Sequence, residues 1–349
     1  MMSPTAPASR PPGPWAPAFA RATCLALLLV GCSPVYVMKS WNGQRRLMSR
    51  RRPVAELLKD ASTPETLKTK LKLAAEIRAF ALMMGLPASA SYDQYVDLGR
   101  PYVTYAVSAS PKLALRSYEW WFPIIGRVPY KGFFEFRDAE KERSRLERKG
   151  FDVYLRGVPA YSTLGWYPDP LLSSMLEEPP GTLAETLIHE LSHQAVYFKS
   201  DADFNESAAS FVGEQGAEDF LSAKFGAQSM ELQAYRLERR DSAERDRRWE
   251  SVAKRLEDLY ASTLSDSEKL SQREELFASG KGVLGVKTLN NAVIVAHRTY
   301  RADLGDFREA YERLGRSWPR MIALLRSLDK RRPKAALREW LRAPGSPRT

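Results

Sequence analysis

The chain has 349 residues and a net charge of +11, from 53 basic and 42 acidic side chains. Hydrophobic residues make up 44% and aromatics 11%, which excludes a largely disordered chain and leaves room for a sizeable core. Two cysteines exclude a disulfide scaffold and a cysteine-rich zinc module, and with only three histidines their positions carry information.

Residues 1–31 hold Arg10 and Arg21 and no acid. The apolar run 22–30 is nine residues long. It is too short to span a bilayer, which takes about 20 residues, and it suits the hydrophobic part of a secretory leader. It ends in Leu29-Val30-Gly31-Cys32, which resembles the lipobox of bacterial lipoproteins. That resemblance implies cleavage before Cys32, acylation of Cys32 and, with Ser33 next, an outer-membrane, periplasm-facing location. Several acyl chains on one residue would anchor the protein stably. Cys24 would leave with the leader, and the net charge would fall from +11 to +9. Lys39, Arg45, Arg46 and Arg50 to Arg52 read as a solvated basic linker, with contact to anionic headgroups as the alternative. Further along, basic residues mix with acids, so the charge is not read as nucleic-acid binding.

Thr63-Pro64-Glu65 has the form of a helix start, and Leu67, Leu71, Ala74, Ile77, Ala81 and Met84 follow at helical spacing until Gly85. Short β-rich runs at 102–110, 118–125 and 132–136 predict strands. A charged helix is expected over 137–149, then strands at 151–156 and 160–166. Helices follow at 181–198 and 204–224, joined by a polar turn. From Met230 the chain reads as helical, with further helices near 266–278, 287–301, 304–314 and 318–328. The fold class expected is α+β, with one catalytic unit and a mostly helical C-terminal part. The boundaries expected are a leader at 1–31, an anchor and linker at 32–62, a catalytic core at 63–228 and helices at 229–349.

His189-Glu190-Leu191-Ser192-His193 is an HExxH motif inside a helix-periodic segment. Positions i and i+4 share one helix face, so both imidazoles can reach one ion. Glu190 can reach water at that ion but not the ion itself. Catalytic zinc takes three protein ligands. A third histidine of the extended motif is absent, since Phe198 and Lys199 fill that stretch. The candidates are carboxylates: Glu206, 13 residues past His193, or Glu214, 21 residues past it. Asp203-x-x-Glu206 is also a capping-box pattern, which would give Glu206 a purely local role.

HELSHQ followed by NESAASF resembles the gluzincin arrangement of thermolysin and the aminopeptidase N family, where HELxHQ is followed by NEGxASY. With the lipobox, the mature chain resembles a bacterial family of predicted aminopeptidase lipoproteins. The resemblance implies a zincin-like core, one Zn2+ held by His189, His193 and Glu206, and Glu190 as general base. It implies a peptide substrate and a donor to the oxyanion from a downstream helix, for which His297 and Tyr300 are the candidates, with Tyr311 next. The aminopeptidase N amine-binding segment GxMEN is absent, which leaves endopeptidase action open. A zincin-fold scaffold or assembly factor without turnover is the alternative.

The run 160–166 precedes the HExxH helix and could form a substrate-pairing sheet edge or an ordinary strand. Glu185, one turn before His189, reads as a surface acid or as a group that orients a ligand imidazole. Tyr118, Trp120, Trp121 and Phe122 read as core. Gly280-x-Gly282-x-x-Gly285 matches a nucleotide-binding spacing, but it follows no strand and is expected to be an interhelical turn.

Overall fold

The computed structural model describes residues 34–122, 126–159, 168–199, 201–299 and 304–343. Its first element corrects an expectation. The residues expected as a basic linker form helix α1 (Pro34–Met48), followed by β1 (Arg52–Pro53) and α2 (Val54–Lys59). The reason is that α1 has a face to bury and charges to neutralise. The Tyr36 ring lies 5.5 Å from that of Phe133, Leu47 is buried, and Gly43 sits so close to Phe134 that no side chain would fit there. Lys39 pairs with Asp138 at 2.6 Å and Arg46 with Glu135 at 2.7 Å.

Helix α3 (Glu65–Met83) buries Leu71, Ala74, Ile77 and Ala81, as the spacing predicts. Its capping residue is Pro64, and Thr63 is itself buried and gives no side-chain cap. Strands β2 (Gln94–Val96), β3 (Thr104–Ser110), β4 (Trp120–Phe122), β5 (Gly126–Val128) and β6 (Tyr130–Phe133) follow. Helix α4 (Phe136–Glu147), β7 (Asp152–Val158) and β8 (Leu171–Leu172) complete the α+β half. Among the described residues these form three small sheets: β1-β2-β8, antiparallel β6-β3-β7, and the β4–β5 hairpin. In the first, β2 pairs antiparallel with β1 and parallel with β8. Trp120 is buried as expected, whereas Trp121 is 53% exposed.

The rest is helical: α5 (Pro180–Ala195), α6 (Ala202–Phe225), α7 (Met230–Ala261), α8 (Asp266–Leu284), α9 (Asn291–Thr299), α10 (Gly305–Arg313), α11 (Trp318–Ser327) and α12 (Pro333–Arg342). The fold class is α+β with a helical C-terminal part. Gly280 and Gly282 lie inside α8, where a Cβ on Gly280 would come within 2.8 Å of Leu289, and Gly285 caps the helix at φ +66°. The glycine pattern is therefore helix packing plus one cap rather than a turn. No helix of the described residues is long and apolar enough to cross a membrane.

Among the described residues, three hydrophobic clusters organise the interior. The largest joins α2, α3, α5 and α6 to the C-terminal helices, with Phe211 against Tyr311 and Trp318. A second holds Trp249, Leu256, Phe277 and Ile294 between α7, α8 and α9. A third packs α4 on the β6-β3-β7 sheet through Ala139, Leu146, Val107 and Phe133. The largest cluster fixes the α5–α6 pair on which the HExxH residues stand.

Candidate metal centre

Helix α5 starts with Pro180 in its first turn, where the missing N–H has no intrahelical bond to lose. It buries Leu183, Leu187, Ile188 and Leu191. This apolar stripe rotates His189 and His193 toward α6, one turn apart. The chain leaves α5 at Val196, which is extended, and returns through a short connection. Asn205 closes that connection: its side-chain amide donates to the Phe198 carbonyl at 2.7 Å, and its oxygen accepts from the Phe198 N–H at 2.8 Å. Asp201 caps α6 by accepting from Phe204 N–H at 3.1 Å. The capping-box role for Asp203 and Glu206 is therefore replaced, and Glu206 is free to face the histidines.

Two glycines let the helices approach. A Cβ on Gly213 would lie 2.9 Å from the Glu185 carbonyl oxygen and 3.0 Å from His189 Cβ. On Gly216 it would lie 2.8 Å from Met84 Cε and 3.0 Å from Ile188. Close backbone approach at these positions carries Glu206 to the imidazoles.

The Nε2 atoms of His189 and His193 are 3.2 Å apart. Glu206 places Oε2 3.5 Å from His189 Nε2 and Oε1 3.7 Å from His193 Nε2. One ligand atom from each residue lies within 4.8 Å of the others, so this trio could hold a metal ion. His193 is 6% exposed, and its Nδ1 has no hydrogen-bond partner.

Burial, with the neighbouring His189, pushes the His193 imidazole down to about 4 despite Glu206. Burial also opposes charge on His189, but the Glu206 hydrogen bond and the charges of Glu190, Glu206 and Glu185 outweigh it and raise His189. Glu206 is lowered: burial opposes its charge, and the two imidazoles favour it. His193 is thus held neutral beside an anionic Glu206, the forms in which these groups bind a metal, whereas the surrounding carboxylates favour the charged form of His189. Glu190, next along α5, is half-buried.

The other candidates fall elsewhere. Glu214 is ion-paired with Arg239 and lies 3.5 Å from Arg308, so it is taken up by cations and does not join the trio. Glu185 is not a bare surface acid. It accepts from Tyr235 Oη at 2.7 Å and sits 3.5 Å from Arg239, which ties α5 to α7. The structure does not bring His297 into the trio; its ring lies 4.2 Å from that of Trp249, in the α7–α9 packing. Tyr311 donates to Asp219 at 3.0 Å within the core, which occupies its hydroxyl. Tyr300, Cys32 and the run 160–166 lie outside the described residues.

Sequence reasoning missed Asn205, Gly213 and the loop at Ser91 and Tyr92. The first two had a signal, since Asn205 directly precedes Glu206 and Gly213-x-x-Gly216 is small-residue spacing on a helix face. The loop had none, because it lies about 100 residues away in sequence, where Gln194 Nε2 donates to Ser91 Oγ at 3.0 Å.

A family profile described as "Putative aminopeptidase" matches residues 35–341. The chain belongs to this family. Membership supports peptidase activity at the level of reaction class. It agrees with the aminopeptidase part of the resemblance read from HELSHQ and NESAASF. The family match spans the β-sheets and the C-terminal helices as well as the α5–α6 pair. No curated protein and no solved structure matches the chain.

Proposed function

We propose that the protein is a zinc metallopeptidase, with His189, His193 and Glu206 as ligands and Glu190 as general base. The observation that carries this reading is the spacing of the trio. Tetrahedral zinc with ligand bonds of about 2.0–2.2 Å sets neighbouring donors roughly 3.3 Å apart. Here the two imidazole nitrogens are 3.2 Å apart, and the Glu206 oxygens lie 3.5 Å (Oε2) from one and 3.7 Å (Oε1) from the other. Two imidazoles and a carboxylate are also a donor set that zinc favours. Bound zinc polarises a carbonyl and brings water toward ionisation near neutral pH.

The chain's own groups supply the rest. Glu190 is on the same helix as both histidines and half-buried beside them. It takes the proton of the attacking water and delivers it to the leaving amine. The apolar stripe of α5 and the α5–α6 contact hold that carboxylate and the ligands on rigid elements, which keeps their geometry fixed.

We take the preferred cleavage to be removal of an N-terminal residue, on the strength of the family. Peptide is the substrate class, and no role for nucleic acid is proposed. We further propose that Cys32 is the acylated N-terminus and that the protein faces the periplasm from the outer membrane, supported by the leader pattern alone.

The test uses the protein starting at Ser33. Fluorogenic amino-acid amides and a blocked, internally quenched peptide are assayed with wild type and Glu190→Gln. Removing a general base should lower kcat by about 10²–10⁴ while zinc stays bound. Cleavage of the amides only supports the aminopeptidase. Cleavage of the blocked peptide only would overturn exopeptidase action and keep the centre. Full activity in Glu190→Gln would overturn the mechanism.

A further inference from the structure

Tyr92 combines two disfavoured features in one residue. Its backbone has φ +66°, a left-handed conformation that bulky side chains rarely adopt. Its side chain is 3% exposed, and its hydroxyl has no hydrogen-bond partner. A buried donor without an acceptor is unfavourable, and backbone strain of this kind tends to persist where it serves a site.

The surrounding bonds impose both features. Tyr92 N–H donates to the Asp169 carbonyl at 2.7 Å. Ser91, 1% exposed, accepts on its Oγ from Asp169 N–H and from Gln194 Nε2, each at 3.0 Å. Gln194 directly follows His193. The loop is thus stapled between the HExxH helix and the segment leading into β8, and the staple turns the Tyr92 ring inward. Gln194, which holds the loop, lies one helical turn after Glu190 on the same helix. Burial of the hydroxyl, with the charges of Glu190 and Asp169, pushes its pKa well up. It therefore remains an O–H donor throughout the working range.

We propose that Tyr92 is a positioning residue for the peptidase reaction, its hydroxyl donating to the Glu190 carboxylate in the substrate-bound site. A carboxylate held by a donor on one oxygen keeps the other directed at the water it deprotonates. The inference rests on Glu190 as general base.

The test compares wild type, Tyr92→Phe, Glu190→Gln and the double variant on whichever substrate the wild type cleaves. For each, kcat, KM, bound zinc and Tm are measured. Tyr92→Phe keeps the ring and removes only the unpartnered hydroxyl. A merely structural role leaves kcat untouched. The positioning role lowers kcat by about 10- to 100-fold. It leaves KM, zinc content and circular dichroism unchanged, and the Tm is equal or higher because an unsatisfied buried group is gone. In the double variant the loss equals that of Glu190→Gln alone. A wild-type kcat in Tyr92→Phe, or a loss that tracks zinc content or Tm, overturns the proposal while Glu190 dependence stands. Full activity in Glu190→Gln overturns the general-base reading itself, and this inference with it.

Discussion

Two buried polar clusters in this protein are built differently. The first joins α8 and α9 to the β6-β3-β7 sheet. Arg273, 3% exposed, donates to Asp152 at 2.6 Å and to the Lys112 carbonyl at 2.9 Å. Asn291 donates to the carbonyls of Pro111 and Lys112, and its oxygen accepts from Tyr260. Asp152 also accepts from Asn291 N–H. Charges cancel, and although Arg273 Nε lacks a hydrogen bond it lies 3.4 Å from Glu274, so the cluster acts as a joint. The second cluster is the α5–α6 trio with Tyr92. There His193 Nδ1 and the Tyr92 hydroxyl are both without partners, and three ligand atoms converge on one point. The cohesive cluster pairs a cation with an anion, whereas the trio gathers three potential ligand atoms around one point.

The largest effect is expected from Arg273→Met, which strands Asp152 in the interior. Urea unfolding should show a loss of about 3–5 kcal/mol, with zinc binding and kcat of the folded protein intact. A loss of zinc would show that the joint and the site are not separate.

Gly213→Ala pushes a methyl group against the Glu185 carbonyl and His189. We expect about 1–3 kcal/mol of destabilisation together with weakened zinc affinity, because α6 carries Glu206. Unchanged affinity by competition with a chelator would mean that the close approach does not set the ligand spacing.

Glu142 sharpens the electrostatic side. It accepts from Trp120 Nε1 at 3.0 Å and from Arg145 at 2.8 Å. Burial raises its pKa, but the bonds from Arg145 and Trp120 outweigh that and hold it below the usual carboxylate range. A depressed folded pKa stabilises above the unfolded value, and that stabilisation fades as pH falls through the folded one. Glu142→Gln should therefore be less stable by about 1–2 kcal/mol at pH 7, with the gap closing in acid. A gap independent of pH between 7 and 3 contradicts this.

Tyr311→Phe should have the smallest effect, about 1 kcal/mol in stability from the lost bond to Asp219, with kcat unchanged. A large fall in kcat would return Tyr311 to the reaction.

Much of this was legible in the sequence because the signals were local. HExxH needs only helical spacing, and the buried stripes of α3 and α7 follow the same period. Glu206 was found because a short helix–turn–helix returns it to the first helix. Helix α1 was missed because its half-buried Tyr36 and buried Leu47 sit among cations whose partners, Asp138 and Glu135, lie 99 and 89 residues on. His297 was misplaced because a histidine near the end of an apolar helix looks the same whether it faces a site or an aromatic ring such as Trp249. Tyr92 was invisible because neither a left-handed φ nor a missing hydrogen bond can be read from residue types.

His189, His193 and Glu206 are proposed to form one catalytic zinc site. Its most direct test is zinc content per chain in the purified protein starting at Ser33, beside His193→Ala and Glu206→Ala, with hydrolysis measured on the same samples. The account predicts about one zinc per chain in wild type, lost together with activity in both variants. Wild-type protein that hydrolyses peptide without zinc, or a Glu206→Ala variant that keeps both metal and activity, would contradict it.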